Sequence, residues 1–242
     1  MLNENLQSFL WNTKQPWFKV SYKTYWAQLA DIVDTTNLKI LDFGSGFGIT
    51  ANYLAKNNDV TAIEPNADMM DDRDCDNNYT QIIGKVDKLK DFADCSFDVV
   101  ICHNVLEFAE EREEIIKELT RILKTDGILS IIKHNKCGKI MFKVVFENNI
   151  NDAVNLFDGG GNSNNVFGDI NYYDPEDLVK WGENLKIEKI LGVRIFFGLQ
   201  QNNDIKYEPD WIDKMFEIEM KVCDFEPYKS VSYCNHVLLR KI

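Results

Sequence analysis

The chain predicts an α/β protein whose mostly parallel, doubly wound sheet of seven strands carries helices on both faces. Three observations support this: short apolar runs alternate with helical patterns, a glycine-rich turn follows the first run, and an acid closes the second. The first run, Leu38-Lys39-Ile40-Leu41, leads into Asp42-Phe43-Gly44-Ser45-Gly46-Phe47-Gly48 and a helix start near Ile49. Glycines at alternate positions permit φ > 0 and close approach to the backbone, and a helix start offers free N–H groups. Such a junction suits a nucleotide-like ligand. A dinucleotide fingerprint would need its third glycine at position 49, which is Ile.

The second strand is Asp59-Val60-Thr61-Ala62-Ile63-Glu64, followed by Pro65-Asn66. A carboxylate at that tip can accept two hydrogen bonds from a ribose diol. Tyr79 to Ile83 reads as a third strand, with Gly84-Lys85-Val86-Asp87 as its loop, and Phe97 opens a fourth strand through Cys102-His103. A helix is expected over Glu110 to Lys124, with Ile115, Ile116, Leu119, Ile122 and Leu123 at helical spacing and acids in its first turns. Asp126-Gly127 is expected to end that helix, and Ile128 to Lys133 forms the fifth strand. Asp174-Pro175-Glu176-Asp177 marks another helix start, and two further strands fall within 186–199 and 231–240.

The D-x-G-x-G-x-G pattern of residues 42–48, the acid Glu64, the loop 85–87 and the fourth strand occur in order over residues 38–133. Together they resemble the class I S-adenosylmethionine (SAM)-dependent methyltransferases. The resemblance implies a Rossmann-like fold with SAM as cofactor and S-adenosylhomocysteine as product. It implies that Asp42, Gly44, Ser45, Gly46 and Gly48 cradle the amino-acid portion, and that Glu64 with Pro65 holds the ribose. Lys85, Val86 and Asp87 would flank the adenine, with Lys85 standing where the family often has an Asp. His103 would pack beside the methyl group, and Lys19 or Lys23 of an N-terminal lid would reach the cofactor carboxylate.

A narrower resemblance covers His103-Asn104-Val105-Leu106-Glu107-Phe108, Asn135-Lys136-Cys137-Gly138, Gly192-Val193-Arg194-Ile195-Phe196, and a tail running from Glu217 through Tyr228 and Tyr233 to Val237. These segments look like the bacterial tRNA 5-carboxymethoxyuridine methyltransferases, which esterify the carboxylate of a modified wobble uridine. Two departures stand out. Ser21 lies between Lys19 and Lys23 where that family uses a basic residue, and residues 145–170 share little. The resemblance implies O-methylation of a carboxylate. Arg194 would grip that carboxylate bidentately, with Tyr228, Tyr233 or Asn135 assisting. A carboxylate is already ionised at neutral pH, so no general base is needed and catalysis comes from alignment. No catalytic residue is therefore assigned. Two alternatives stay open: a small-molecule acceptor, or a non-catalytic SAM-binding or partner-binding module.

The expected organisation is a helical lid over 1–35, a cofactor-binding core over 36–133, a substrate-side cap over 134–180, and the rest of the sheet over 181–242, all in one structural domain. Aromatics crowd the lid (Trp11, Trp17, Phe18, Tyr22, Tyr25, Trp26), as a packing face would. The net charge of −12 argues against broad nucleic-acid binding. Lys133, His134, Lys136, Lys139 and Lys143 nonetheless form an acid-free stretch, and Lys136 and Lys139 would hold phosphates of a tRNA at a local basic rim. Acids at Asp68, Asp71, Asp72, Asp74 and Asp76, and at Glu107, Glu110, Glu111, Glu113 and Glu114, read as solvated helix starts. Six cysteines occur singly, as reduced thiols do, with no metal-ligand spacing. The N-terminus lacks a signal-peptide pattern and no apolar run reaches membrane-spanning length, so a cytoplasmic enzyme is expected. Residues 158–165 form a turn-rich loop.

Overall fold

A computed structural model describes residues 2–161 and 167–242 of the chain. Residues 162–166 lie outside the described residues, and with them residues 162–165 of the turn-rich stretch. Seven strands form one sheet in the order β3-β2-β1-β4-β5-β7-β6. They are β1 (Lys39–Phe43), β2 (Asp59–Glu64), β3 (Thr80–Ile83), β4 (Phe97–His103), β5 (Leu123–His134), β6 (Leu185–Val193) and β7 (Cys234–Lys241). The first five run parallel, and β7 is antiparallel to both β5 and β6. Strand order reverses between β1 and β4, which opens a crevice at their carboxyl ends.

The central strands are buried on both faces, which is why they read as continuous apolar runs. On one face, α4 (Arg112–Ile122) and α7 (Pro175–Trp181) press Ile115, Ile116, Leu119, Ile122 and Leu178 against Leu41, Val100 and Leu129. The other face is covered by Leu29 of α2 (Pro16–Ala30) and by Ala51 and Leu54 of α3 (Ile49–Ala55), packed on Ile40, Val60 and Ile101. The start of α7 was legible because Asp174 and Asp177 close a capping box around Pro175.

One boundary differs from expectation. Asp126-Gly127 does not terminate α4; the chain passes straight from Ile122 into β5, and these two residues form a bend inside that strand. Asp126 adopts φ +64°, and a Cβ on Gly127 would stand 2.8 Å from the Lys124 carbonyl oxygen and 2.9 Å from that of Asp98. Leu123 is fully buried, so the strand starts early to place it in the core.

Above the crevice, α1 (Glu4–Thr13) and α2 come from one side, and α5 (Lys136–Val145) with α6 (Ile150–Phe157) follow β5 on the other. The segment α8 (Pro209–Val222) packs against α2, and the short α9 (Glu226–Lys229) leads into β7. The aromatics of α2 stack on one another and on α3: Tyr22 lies 5.8 Å from Trp26, which lies 3.6 Å from Tyr53, while Trp11 of α1 stays exposed.

Candidate active site

The glycine-rich turn leaves β1 with Gly44, Gly46 and Gly48 at φ +77°, +56° and +71°, a left-handed path that disfavours side chains. Gly44 and Ser45 N–H donate to the Ile63 carbonyl (2.8 and 3.0 Å), tying the turn to β2. The Glu64 carboxylate ties it again, accepting from Gly46 N–H (2.8 Å) and Asn66 N–H (2.9 Å). A Cβ at Gly48 would stand 2.1 Å from the Tyr79 hydroxyl, whereas one at Gly46 would meet nothing within 4 Å. Bare backbone at Gly46 thus faces open space, as close approach by a ligand requires.

Electrostatically the turn is incomplete. Asp42 is buried, and its pKa rises to about 7, chiefly from burial and then from Glu64, against a backbone hydrogen bond from Ala51. Burial also raises Glu64, opposed by its two N–H donors. Asp42 Oδ2, Ser45 Oγ and His103 Nδ1 are buried with no partner. Unpaired polar atoms at the ends of adjacent strands are what a ligand carrying ammonium and hydroxyl groups would satisfy. Lys85 N–H bends back toward Asp87 Oδ1 (3.3 Å) at the end of β3, and Pro65 lies exposed after β2. Candidate residues therefore line the crevice in sheet order: 85–87, then 64–65, then 42–48, then His103.

A cavity of about 270 Å³ extends from Phe47 and Ile49 toward α1 and α2 and is lined by Lys14, Lys19, Tyr22, Trp26 and Asp74. Lys19 faces it, whereas Lys23 points away and pairs with Asp213 at 2.9 Å. Asp74, expected on a solvated helix start, belongs to this wall. A larger, shallow depression of about 1040 Å³ bordered by Asn57, Asp59 and Asp98 lies at the amino-terminal ends of the strands. Ligands of parallel sheets sit at the opposite end, so the smaller cavity is the relevant one.

At the carboxyl edge of the sheet, Arg194 follows β6 at φ +57° with its guanidinium 4.3 Å from the Tyr233 ring centre. Among the described residues it pairs with no carboxylate, and its buried Nε has no partner. Glu219 does not neutralise it directly, because that buried carboxylate accepts from Ile195, Phe196 and Phe197 N–H at 2.7 to 2.8 Å. Glu219 thereby shapes the turn that carries Arg194. Tyr233 thus joins Arg194, whereas Tyr228 packs 5.4 Å from Phe196. Asn135 caps α5 and spends its amide on the Ser230 and Ser232 carbonyls (3.0 and 2.9 Å).

The basic rim is not a solvent-facing strip. Lys133 and Lys143 are each 5% exposed; the first lies 4.8 Å over the Tyr173 ring, and the second bonds Asp152 (3.0 Å) and Glu147 (3.4 Å). Lys139 approaches the same Glu147 at 3.5 Å, which leaves Lys136 at the surface with its ammonium against the Phe157 carbonyl. The helical pattern placed these lysines on one stretch but could not show Glu147, in the connection after α5, and Asp152 of α6 folding back over them. Glu107 is likewise not a surface acid. It is fully buried, accepting from His134 N–H (2.8 Å) and His134 Nδ1 (3.0 Å), with Oε2 unpaired.

Sequence reasoning missed several members of this region. Ser130 and His236 lie fully buried within apolar strands, and Gln28 within α2. A lone polar residue inside an apolar strand was the available signal, since buried polar groups need partners. Glu219 on the packed face of α8 carried the same signal.

Residues 41–131 match a family described as a methyltransferase domain. The chain is 25% identical over 214 residues to a tRNA 5-carboxymethoxyuridine methyltransferase of Escherichia coli K12, covering 84% of this chain and 80% of that protein. It is 26% identical to a ubiquinone biosynthesis O-methyltransferase of Glaesserella parasuis, over 68% and 74% of the two chains. A SAM-dependent methyltransferase from Aquifex aeolicus superposes with a TM-score of 0.57 at 14% identity, covering 97% and 98%, a likeness of fold. Among the described residues, no helix is long and apolar enough to cross a membrane and no cluster of ligating side chains could hold a metal.

Proposed function

We propose that this chain, a class I SAM-dependent methyltransferase, esterifies a carboxylate, and that the acceptor is 5-carboxymethoxyuridine at the wobble position of a cytoplasmic tRNA. The observation that carries this reading is Arg194, an unpaired guanidinium stacked on Tyr233 beside the crevice. A half-buried cation with a buried, unpartnered Nε and no ion-paired carboxylate is suited to an anionic ligand that completes it. SAM supplies an electrophilic methyl group on a sulfonium. In this reading Asp42, Gly44, Ser45, Gly46 and Gly48 hold its amino-acid end, Glu64 its ribose, and residues 85–87 its adenine. Lys19 answers its carboxylate.

The acceptor carboxylate reaches the site ionised, so no side chain has to remove a proton. Arg194 and Tyr233 orient it, and alignment of this kind can supply several of the roughly 7–11 kcal/mol available from positioning. Arg194 must not hold the ground state too tightly, and stacking on Tyr233 serves that end by limiting how far the guanidinium can follow its ligand. The resemblance to the Escherichia coli enzyme supports the tRNA acceptor, with Lys136, a surface lysine that no carboxylate engages among the described residues, as a phosphate contact.

A second reading rests on His134, whose Nδ1 is oriented by the buried Glu107 and whose ring lies 5.8 Å from Tyr233. Such a pair could take the proton of a hydroxyl or thiol acceptor, as a small-molecule methyltransferase would need. The test is transfer of labelled methyl to tRNA from cells lacking this gene, followed by nucleoside analysis. Label on the carboxymethoxy group of the wobble uridine supports the first reading. Label confined to small hydroxyl or thiol compounds overturns it in favour of the second.

A further inference from the structure

Three buried polar side chains, Gln28 of α2, His236 of β7 and Ser130 of β5, connect to the half-buried His103 of β4 in a chain that the proposed function does not use. Gln28 Nε2 donates to the Gly192 carbonyl (3.0 Å), which leaves Gln28 Oε1 as the acceptor for His236 Nδ1 (2.9 Å). His236 Nδ1 therefore carries a hydrogen. Burial pushes the His236 pKa down to about 3, so the ring is neutral and Nε2 holds a lone pair. Ser130 Oγ, 2.8 Å away, must donate to that lone pair. The serine oxygen is then free to accept from His103 Nε2 at 2.8 Å, which places the hydrogen of His103 on Nε2. His103 is itself kept neutral, first by burial and then by His236. Its Nδ1 is consequently a bare lone pair, and it is buried without a partner.

Each link depends on the one before, and the first is anchored by a backbone carbonyl that can only accept. Reversing Gln28 would set its oxygen against the Gly192 oxygen, so the chain has one direction. Its product is an orphaned acceptor at the carboxyl end of β4. Nε2 is committed toward β5, so the other edge of the ring turns away from that strand. The sheet order fixes what lies there. With adenine at the end of β3 and ribose at the end of β2, the amino-acid portion of the methyl donor falls over β1 and β4. Its hydrogen-bond donor is the α-ammonium. A neutral imidazole suits that neighbour, since a protonated one would repel both the ammonium and the sulfonium.

We propose that His103 Nδ1 accepts a hydrogen bond from the α-ammonium of the methyl donor, in a tautomer imposed by Gln28, His236 and Ser130. The proposal rests on the cofactor reading of the crevice. His103 is then a cofactor-binding residue, and the three others are positioning residues that act through it.

Nitrogen-15 NMR of the unliganded protein tests the tautomer, because a bare and a protonated ring nitrogen resonate far apart. His103 is expected to show a bare Nδ1, with Ser130→Ala releasing it into a mixture of tautomers. A hydrogen on Nδ1 in the parent protein would overturn the proposal. Calorimetry with S-adenosylhomocysteine and with the same thioether lacking its α-amino group tests the contact. A charge-assisted bond predicts a preference of about 10- to 100-fold for the amino compound. His103→Gln, which mimics only Nε2, should abolish the preference. His103→Asn, which can set an oxygen near the Nδ1 position, should recover part of it. Equal binding of both compounds by the parent, or an undiminished preference in His103→Gln, overturns the proposal while leaving the cofactor reading intact. Binding of neither compound by the parent overturns both.

Discussion

Asp42 makes the stability of the unliganded protein depend on pH in a direction opposite to that of a salt-bridged carboxylate. Its pKa rises from 3.8 to about 7 in the fold, from burial and then from Glu64. The folded state therefore holds a proton that the unfolded chain releases near its ordinary value. Between those limits the folded form binds more protons, so stability falls as pH rises, fully present below 3.8 and lost above about 7. The interval of about three pH units is worth about 4 kcal/mol at 1.36 kcal/mol each, of which about 2.5 kcal/mol is lost between about pH 5 and about pH 8. Glu64, Asp74 and Glu219 are shifted in the same direction and Asp98, Asp177 and Glu188 in the other, so the parent curve alone is a sum. Comparison with Asp42→Asn isolates the one group. Urea unfolding at both pH values should show the variant gaining about 2.5 kcal/mol on the parent at the higher pH. Parallel curves would show that Asp42 is not held protonated, and the incomplete electrostatics of the turn would need another account.

Gly48→Ala should destabilise the protein by about 1–3 kcal/mol, from a left-handed φ and an overlap with the Tyr79 hydroxyl, measured as a lower urea midpoint. Gly46→Ala, with open space around its Cβ, should cost less stability yet more S-adenosylhomocysteine affinity; the reverse order would place the ligand elsewhere. Arg194→Lys should lower kcat/KM for an anionic acceptor by about 10- to 100-fold through loss of the bidentate grip, with calorimetric affinity for S-adenosylhomocysteine unchanged. An unchanged kcat/KM would remove Arg194 from the acceptor site.

The sheet was readable because β1, β2 and β4 are buried on both faces and carry a chemically distinctive residue at or next to their carboxyl ends: Asp42, Glu64, His103. Local backbone chemistry also made the glycine turn readable, since three positive φ angles demand three glycines. What failed shares one cause. Charge alone puts Lys133, Lys143 and Glu107 at the surface, but tertiary partners bury them: Tyr173 for the first, Glu147 and Asp152 for the second, and His134 for the third. The bend at Asp126-Gly127 was misplaced because the same dipeptide serves a helix stop and a strand irregularity. The Gln28–His236–Ser130–His103 chain spans 208 residues of sequence between its first two members, beyond the reach of any periodic pattern.

The claim that this enzyme makes a carboxylate ester is tested most directly by the chemistry of its product. Methyl label carried from SAM onto the acceptor should leave as volatile methanol under mild alkali, which cleaves esters and spares ethers, thioethers and methylated bases. Complete release contradicts every other acceptor class. Label that stays bound through the same treatment contradicts the ester, and with it the role given to Arg194.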